Sequence, residues 1–342
     1  MRKLIIILLH LMLLIPGYSL YGQEEIIEGG KKIGAAGFKF MDIAIGARAA
    51  GMGEAFAFIG DDAEAIFYNP AGIAQMDDKN FDLTVCKVDW IVETSINAVG
   101  LVANLGTFGN VGFSLLYTDY GDVIGTVVEP DSASGYRETG LLELGSYATG
   151  VSYARKLTDK FMIGANFRYS YEHLGDNLFA NNAARDSIWT EKNETQTIAY
   201  DIGTIFYPGF ESFRLGMSIV NFSTAVQYEY EEGRTNSFNL PLTFKMGAAM
   251  DILDLLGEHP HHSLLVDFEL VHPRDYSQRY HLGGELSILE VIKLRAGYKF
   301  GYDEEGLAFG AGINTANVKL DYAYSEFGIF DFVNRVSLGL SF

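Results

Sequence analysis

The chain closes on Val333-Asn-Arg-Val-Ser-Leu-Gly-Leu-Ser-Phe342. In an extended strand Val336, Leu338, Leu340 and Phe342 share one face, and Arg335, Ser337, Gly339 and Ser341 share the other. One greasy face and one small or charged face suit a wall between lipid and a wet lumen. Ile292-Lys-Leu-Arg-Ala-Gly-Tyr-Lys-Phe300 repeats the pattern, with Lys293, Arg295, Gly297 and Lys299 on a single face. A basic side chain on the lipid face at the bilayer midplane costs about 2–4 kcal/mol. Three together are prohibitive, so these cations must face the lumen or the membrane edge. Val111/Phe113/Leu115/Tyr117, Phe161/Ile163/Ala165/Phe167/Tyr169 and Val318/Leu320/Tyr322/Tyr324 alternate likewise.

Extended over the chain, the period-two pattern predicts strands at 80–89, 94–104, 109–119, 143–156, 160–173, 194–207, 211–221, 240–251, 261–270, 277–287, 290–302, 304–314, 316–325 and 332–342. These number fourteen, an even count, as a closed bacterial barrel needs. Connections after odd strands include the long polar stretches 120–142, 174–193 and 222–239, whereas those after even strands include Gly106–Phe108, Thr158-Asp159, Pro208–Phe210 and Leu289. Long loops on one side and short turns on the other are the outer-membrane asymmetry, and they imply periplasmic termini. A soluble β-sandwich predicts no such parity. The last strand then closes on the one near residue 80. The expected fold is an all-β membrane protein: a transmembrane antiparallel β-barrel of about fourteen strands, residues 80–342, with a small helical N-terminal plug.

Arg2 and Lys3 precede an apolar run from Leu4 to Ile15, then Pro16-Gly17 and the small residues Ser19 and Gly22. This is the pattern of a signal peptide over residues 1–22. Its apolar run falls short of the roughly 20 residues that a spanning helix needs. With 25 Lys+Arg against 44 Asp+Glu the formal charge is -19, which disfavours nucleic acid as a partner. The single cysteine, Cys86, excludes an intramolecular disulfide and reads as a small apolar strand residue. His259, His261 and His262 lie in the connection 252–262 without the ligand spacing of a metal site, and read as a solvated loop. Gly310-Ala-Gly312 sits inside a strand and is no phosphate loop. Glu269 and Asp321 are candidate lumen carboxylates, yet no spacing assembles a nucleophile, a base and an orienting group. No catalytic residue, metal ligand or cofactor site is therefore assigned, and an enzyme is not expected.

Residues 23–79 break the alternation. Asp61 or Asp62 can cap a short helix over Ala63–Tyr68 that Asn69-Pro70 ends, and Gly51, Gly53 and Gly60 permit tight backbone approach. Fourteen strands enclose more space than eight, whose side chains can fill the lumen. This segment is the natural filling, a hatch.

Its motifs carry a specific resemblance. Gly46-Ala-Arg-Ala-Ala-Gly-Met-Gly-Glu-Ala-Phe56, Asp61-Asp-Ala-Glu-Ala65 and Asn69-Pro-Ala-Gly72 resemble the N-terminal signature of the PorV/PorQ family, within the wider FadL-like barrels. Leu294–Tyr298, Leu320–Tyr324 and Asn334–Leu338 are similar to that family's C-terminal strands, and the terminal face Val336, Leu338, Leu340 and Phe342 resembles the signal read by the barrel-insertion machinery. The resemblance implies a hatch motif of Arg48, Gly51, Gly53, Asp61, Asp62, Asn69, Pro70, Ala71 and Gly72, which folds the plug or gates the lumen. It also implies an outer-membrane accessory of type IX secretion that binds exported proteins or their C-terminal signal domains and passes them to surface attachment. Its partners would be outer-membrane lipid, secreted proteins and a large translocon barrel. The alternative is a FadL-like diffusion channel for hydrophobic small molecules, favoured by a lumen of intermediate size.

Overall fold

The computed structural model describes residues 36–76, 79–180, 188–229, 235–257 and 259–342. The expected signal peptide and residues 23–35 of the hatch lie outside the described residues. The strands described are β1 Phe81–Asp89, β2 Ser95–Asn104, β3 Asn110–Asp119, β4 Ile124–Val128, β5 Tyr136–Leu141, β6 Leu144–Thr158, β7 Phe161–Ala180, β8 Ile188–Phe206, β9 Arg214–Phe222, β10 Val226–Glu229, β11 Thr235–Phe238, β12 Thr243–Asp251, β13 His262–Pro273, β14 Arg279–Ile288, β15 Ile292–Phe300, β16 Glu305–Asn314, β17 Val318–Phe327 and β18 Phe332–Ser341. Fourteen of them form a closed barrel, while β4–β5 and β10–β11 are separate hairpins within two of the long connections. Closure is made by β1 and β18, with Val85 opposite Leu338 and Asp82 opposite Ser341.

The wall is built by the alternation read from the sequence. In β15 Leu294, Ala296, Tyr298 and Phe300 face outward, while Arg295, Gly297 and Lys299 are buried inward. In β18 Val336 and Leu338 are exposed to the lipid side, with Arg335, Ser337 and Ser341 inside. Phe342 follows the strand, exposed, and its carbonyl accepts from the backbone N–H groups of Asn80 and Phe81. The sheet thus has no free edge at the chain terminus, as lipid requires.

All fourteen expected strands are present, with ends shifted by a few residues. One expected loop is mostly strand. β7 runs on to Ala180 and β8 starts at Ile188, with Asp176–Ala180 paired to Ile188–Lys192 within the 174–193 stretch. A register shift between His173 and Asp176, with Gly175 at φ +81°, interrupts the alternation there, so the sequence pattern breaks although the pairing resumes. The 120–142 and 222–239 stretches fold back on themselves as the hairpins β4–β5 and β10–β11.

The two ends of the barrel differ as the loop parity implies. Both hairpins, and the upper parts of β7 and β8, stand at what we term the loop end; the opposite end carries the short turns and the start of β1. The described chain begins at the loop end, where Ala36 bridges Asn239 and the Gly37 N–H donates to the Asn239 carbonyl at 3.0 Å. It then descends through the lumen and joins β1 at the turn end.

Leu338→Arg, on the lipid face, is expected to cost about 2–4 kcal/mol. Val128→Arg, exposed on the β4 hairpin, should stay within about 0.5 kcal/mol. Urea unfolding of the barrel refolded into vesicles measures both; equal effects would show that this face of β18 does not meet lipid.

Candidate functional site

The candidate site is the lumen at the level of the plug. Its backbone is one five-residue α-helix, Ala47–Gly51, with 3-10 turns at Lys39–Asp42, Ala63–Phe67 and Pro70–Gln75. The expected Ala63–Tyr68 helix is a 3-10 turn capped by Asp62, whose carboxylate accepts from the Glu64 N–H at 3.1 Å. Asn69 has a second part beyond ending that turn. Its side-chain oxygen accepts from the Ala71 N–H at 3.0 Å and opens the next turn, with Pro70 at the first position.

Short turns of small residues let the plug approach the wall very closely, and the wall answers with glycines. A Cβ on Gly203 would collide with the Asn69 amide, one on Gly164 with the Pro70–Ala71 backbone, and one on Gly297 with the Met52–Gly53 backbone. Phe58, fully buried, lies over Gly216 and Gly247. Gly51 packs on Gly310, where an added Cβ would come within 2.8 Å of the Gly310 Cα. Gly53 is held at φ +62° against the Tyr298 N–H, a conformation and a spacing that together require glycine.

Charge fixes the plug in place. Arg48 makes a bidentate bond to Glu285 of β14, Nε to Oε2 at 2.9 Å and Nη2 to Oε1 at 3.1 Å. Its Nη1 donates to Asp61 at 2.6 Å and lies 3.4 Å from Asp62. Lys319 of β17 reaches Asp62 at 2.8 Å and lies 3.6 Å from Asp82. Arg295 of β15 bridges Glu285 and Asp321, each at 2.6 Å. On the other side Glu54 binds Lys299 at 2.6 Å, and Lys299 also contacts Glu305. Glu269 of β13 accepts from the Phe56 and Ala57 N–H groups at 2.7 and 2.5 Å. Glu269 and Asp321 therefore serve different partners rather than forming a pair.

Taken together, the plug touches every strand of the wall. Polar contacts join it to Asp82 of β1, Asn110 of β3, Glu269 of β13, Glu285 of β14, Lys299 of β15, Lys319 of β17 and Ser337 of β18. Close packing joins it to β2, β6, β7, β8, β9, β12 and β16.

The residues of the expected hatch motif lie in this interface, apart from Gly72, which is internal to the plug. Arg48, Asp61 and Asp62 form one ionic cluster; Gly51 and Gly53 line β16 and β15; Asn69, Pro70 and Ala71 face β7 and β8; Gly72 packs on the Gly60 carbonyl inside the plug. Sequence reasoning left out Glu54, which meets Lys299 of the wall, and Glu64, which accepts from the plug's own Ala49 N–H. The lumen-facing Arg295 and Lys299 were the available signal, since a cation inside a barrel calls for an acid to face it. Cys86 is buried beneath the plug, with its Sγ 3.4 Å from the Ser337 hydroxyl. His261 lies exposed beside Glu290, and among the described residues no group of three or more potential ligands could hold a metal ion.

Residues 112–334 match the profile of a family described as the type IX secretion system membrane protein PorP/SprF. The chain belongs to this family. The matched span is most of the wall, and the PorP/SprF match begins after the hatch motif and after β1 and β2. The narrower likeness to PorV/PorQ proteins rests chiefly on hatch residues outside it. No curated protein matches the sequence. Among solved structures, the Ralstonia pickettii toluene transporter TbuX superposes with a TM-score of 0.54 at 14% identity, covering 86% of this chain and 97% of that one. The CymD monoaromatic hydrocarbon channel gives 0.55 at 13% over 87% and 98%, and a Pseudomonas aeruginosa FadL homologue 0.54 at 11% over 88% and 98%. At these identities the likeness is one of fold. This PorP/SprF protein is an outer-membrane barrel with the FadL-like architecture.

Two predictions follow from the buried charges. Arg48→Met leaves Glu285, Asp61 and Asp62 short of a cation, a change that typically costs about 3–5 kcal/mol. The native thiol of Cys86 reports plug release, so its labelling by a maleimide should accelerate on the order of 10²–10⁴-fold; an unchanged rate would mean that the ion cluster does not hold the plug. The second concerns Glu64, which accepts from the Ala49 N–H. Burial, and then the charge on Asp62, push its carboxyl up to about 8 from the ordinary 4.5. The seated plug therefore holds a proton that the released plug gives up, and seating weakens as pH rises between these two values. Relative to Glu64→Gln, the labelling rate of the unaltered protein should climb from about pH 5 to about pH 8 and then level off, given these limits. A flat ratio would contradict it.

Proposed function

We propose that this barrel serves type IX secretion as a closed platform rather than a conduit, in the manner of the PorV/PorQ-type proteins. It binds exported proteins, or their C-terminal signal domains, at its loop end and passes them to surface attachment. The observation that carries this reading is the plug's contact with every strand of the wall, made through buried ion pairs and wall glycines. A polypeptide could pass such a lumen only by displacing the whole plug.

Recognition then falls to the loop end. That end carries the hairpins β4–β5 and β10–β11, and the first hairpin exposes Ile124, Val128, Tyr136 and Leu141. The loop end faces outward in this reading, and the C-terminus and short turns face the periplasm. The proposal assigns no catalysis.

A second reading, passage of hydrophobic small molecules, is favoured by one observation. A groove of about 660 Å³ at the loop end is lined by Phe38, Phe40, Ile43, Trp90, Ile91 and Leu174, among others.

A pull-down from detergent-solubilised outer membrane separates the two. Recovery of a very large translocon barrel, or of exported proteins bearing C-terminal signal domains, is the expected result. Recovery of lipid or hydrocarbon alone would sink the platform reading. In planar bilayers the purified barrel should show no stable conductance, whereas an open pore would contradict a closed lumen.

A further inference from the structure

On the loop side of the plug lies a cavity of about 510 Å³, bounded by plug residues Ile43, Glu54 and Tyr68 and by the wall. Its charge runs against that of the chain. Five cations line it, Lys39, Arg168, Lys245, Arg279 and Lys299, against three acids, Asp42, Glu54 and Glu305, in a chain whose formal charge is -19.

Most of these cations are already matched. Lys39 binds Asp275 at 2.9 Å, Arg168 binds Asp201 at 2.7 Å, and Lys299 binds Glu54. Arg279 differs. Its guanidinium is held by the rings of Tyr276 and Tyr302, 4.3 and 4.0 Å from their centroids, and among the described residues it has no carboxylate partner. An arginine stacked on aromatic faces keeps its in-plane N–H fork available for a bidentate acceptor. Lys245 is likewise underused. Its Nζ sits 5.1 Å from the Tyr68 ring centroid and 3.9 Å from Glu269, whose other oxygen serves the plug backbone.

Two further groups show that the cavity's polar lining is unfinished. Arg168 Nε and His281 Nδ1 are buried without a hydrogen-bond partner among the described residues, although Arg168 Nη2 and His281 Nε2 are both bonded. The Arg168 Nε–H is a buried donor without a partner, which is costly and calls for an acceptor, whereas His281 Nδ1 donates or accepts according to the tautomer its ring adopts against the Tyr302 hydroxyl. The rest of the lining is apolar, with Ile43, Trp90, Leu116 and Val220 prominent.

We propose that this cavity binds a compact organic carboxylate, its anionic end on Arg279 and Lys245 and its apolar body against Trp90, Leu116 and Val220. The ligand class differs from the protein cargo assigned to the loop end and from an uncharged hydrocarbon. It is defined by an uncommitted cationic fork beside an apolar wall.

The test compares benzoate with its neutral isostere benzyl alcohol, titrated into the purified barrel in detergent and followed by ligand-observed NMR. Benzoate should bind at least about tenfold more tightly than benzyl alcohol, a ratio set by a charge-assisted bond worth roughly 1.5–3 kcal/mol. Arg279→Met should remove that preference, and Arg137→Gln on the exposed β5 hairpin should leave it intact. If Arg279→Met fails to fold, Lys245→Met probes the same cavity and should weaken benzoate alone. Equal binding of the two probes, no binding of benzoate, or benzoate binding unchanged in the folded variants would each overturn the proposal.

Discussion

A charge enclosed by a lipid-facing wall must find its counter-charge inside, and Arg48 shows what that demands. Its side chain is about nine-tenths buried, and its guanidinium is divided between Glu285 of the wall and Asp61 and Asp62 of the plug. Glu285 in turn shares Arg295, and Asp62 shares Lys319, so one plug cation ties together β14, β15 and β17. Such networks add little net stability over an apolar core, because desolvation offsets the Coulomb gain. What they add is discrimination. A plug rotated or shifted by one residue would leave several charges without partners in a low-dielectric interior, whereas an apolar plug could slide with little loss.

Shape enforces the same register. The glycines of the wall, Gly164, Gly203, Gly216, Gly283 and Gly297, fall where the plug backbone or a large side chain comes nearest. Glycine is a poor strand residue, and its abundance in a barrel wall needs a reason. The sequence reading gave close backbone approach only to Gly51, Gly53 and Gly60 of the plug and assigned the wall glycines no contact. Their positions against Met52, Phe58, Asn69 and Pro70 show instead that many mark the footprint of the plug. Charge and shape are thus written on both surfaces, and neither surface is complete without the other.

That reciprocity explains what could be read in advance and what could not. Strands such as Ile292–Phe300 were legible because lipid imposes a one-dimensional rule: every second residue must be apolar. The fourteen strands and the closure of β18 on β1 follow from it. Where a bulge at Gly175 interrupts the alternation, the rule fails and paired strand passes for loop. The plug obeys no such period. Asn69-Pro70 and Asp61-Asp62 could be seen as caps, but their wall partners lie far along the chain and meet them only in the folded lumen. The partner of Glu54, Lys299, is 245 residues away. The family assignment divides in the same way, since the PorP/SprF profile covers wall and the likeness to PorV/PorQ proteins draws mainly on plug.

The plug also connects the two ends of the barrel. It begins beside Asn239 at the loop end, where Phe38 packs on Phe238 of the β10–β11 hairpin, and it passes into β1 at the turn end. Glu54 lines the loop-side cavity while holding Lys299, and Tyr68 lines it while donating to the Ile45 carbonyl at 2.8 Å. An anion held there by Arg279 and Lys245 would compete for Lys245 with Glu269, whose other oxygen anchors the plug at the Phe56 and Ala57 N–H groups. Binding of an anion in that cavity and seating of the plug would therefore draw on a shared cation, so a gain for one would be felt as a loss by the other. The plug thus both fills the lumen and carries residues that bound the loop-side cavity.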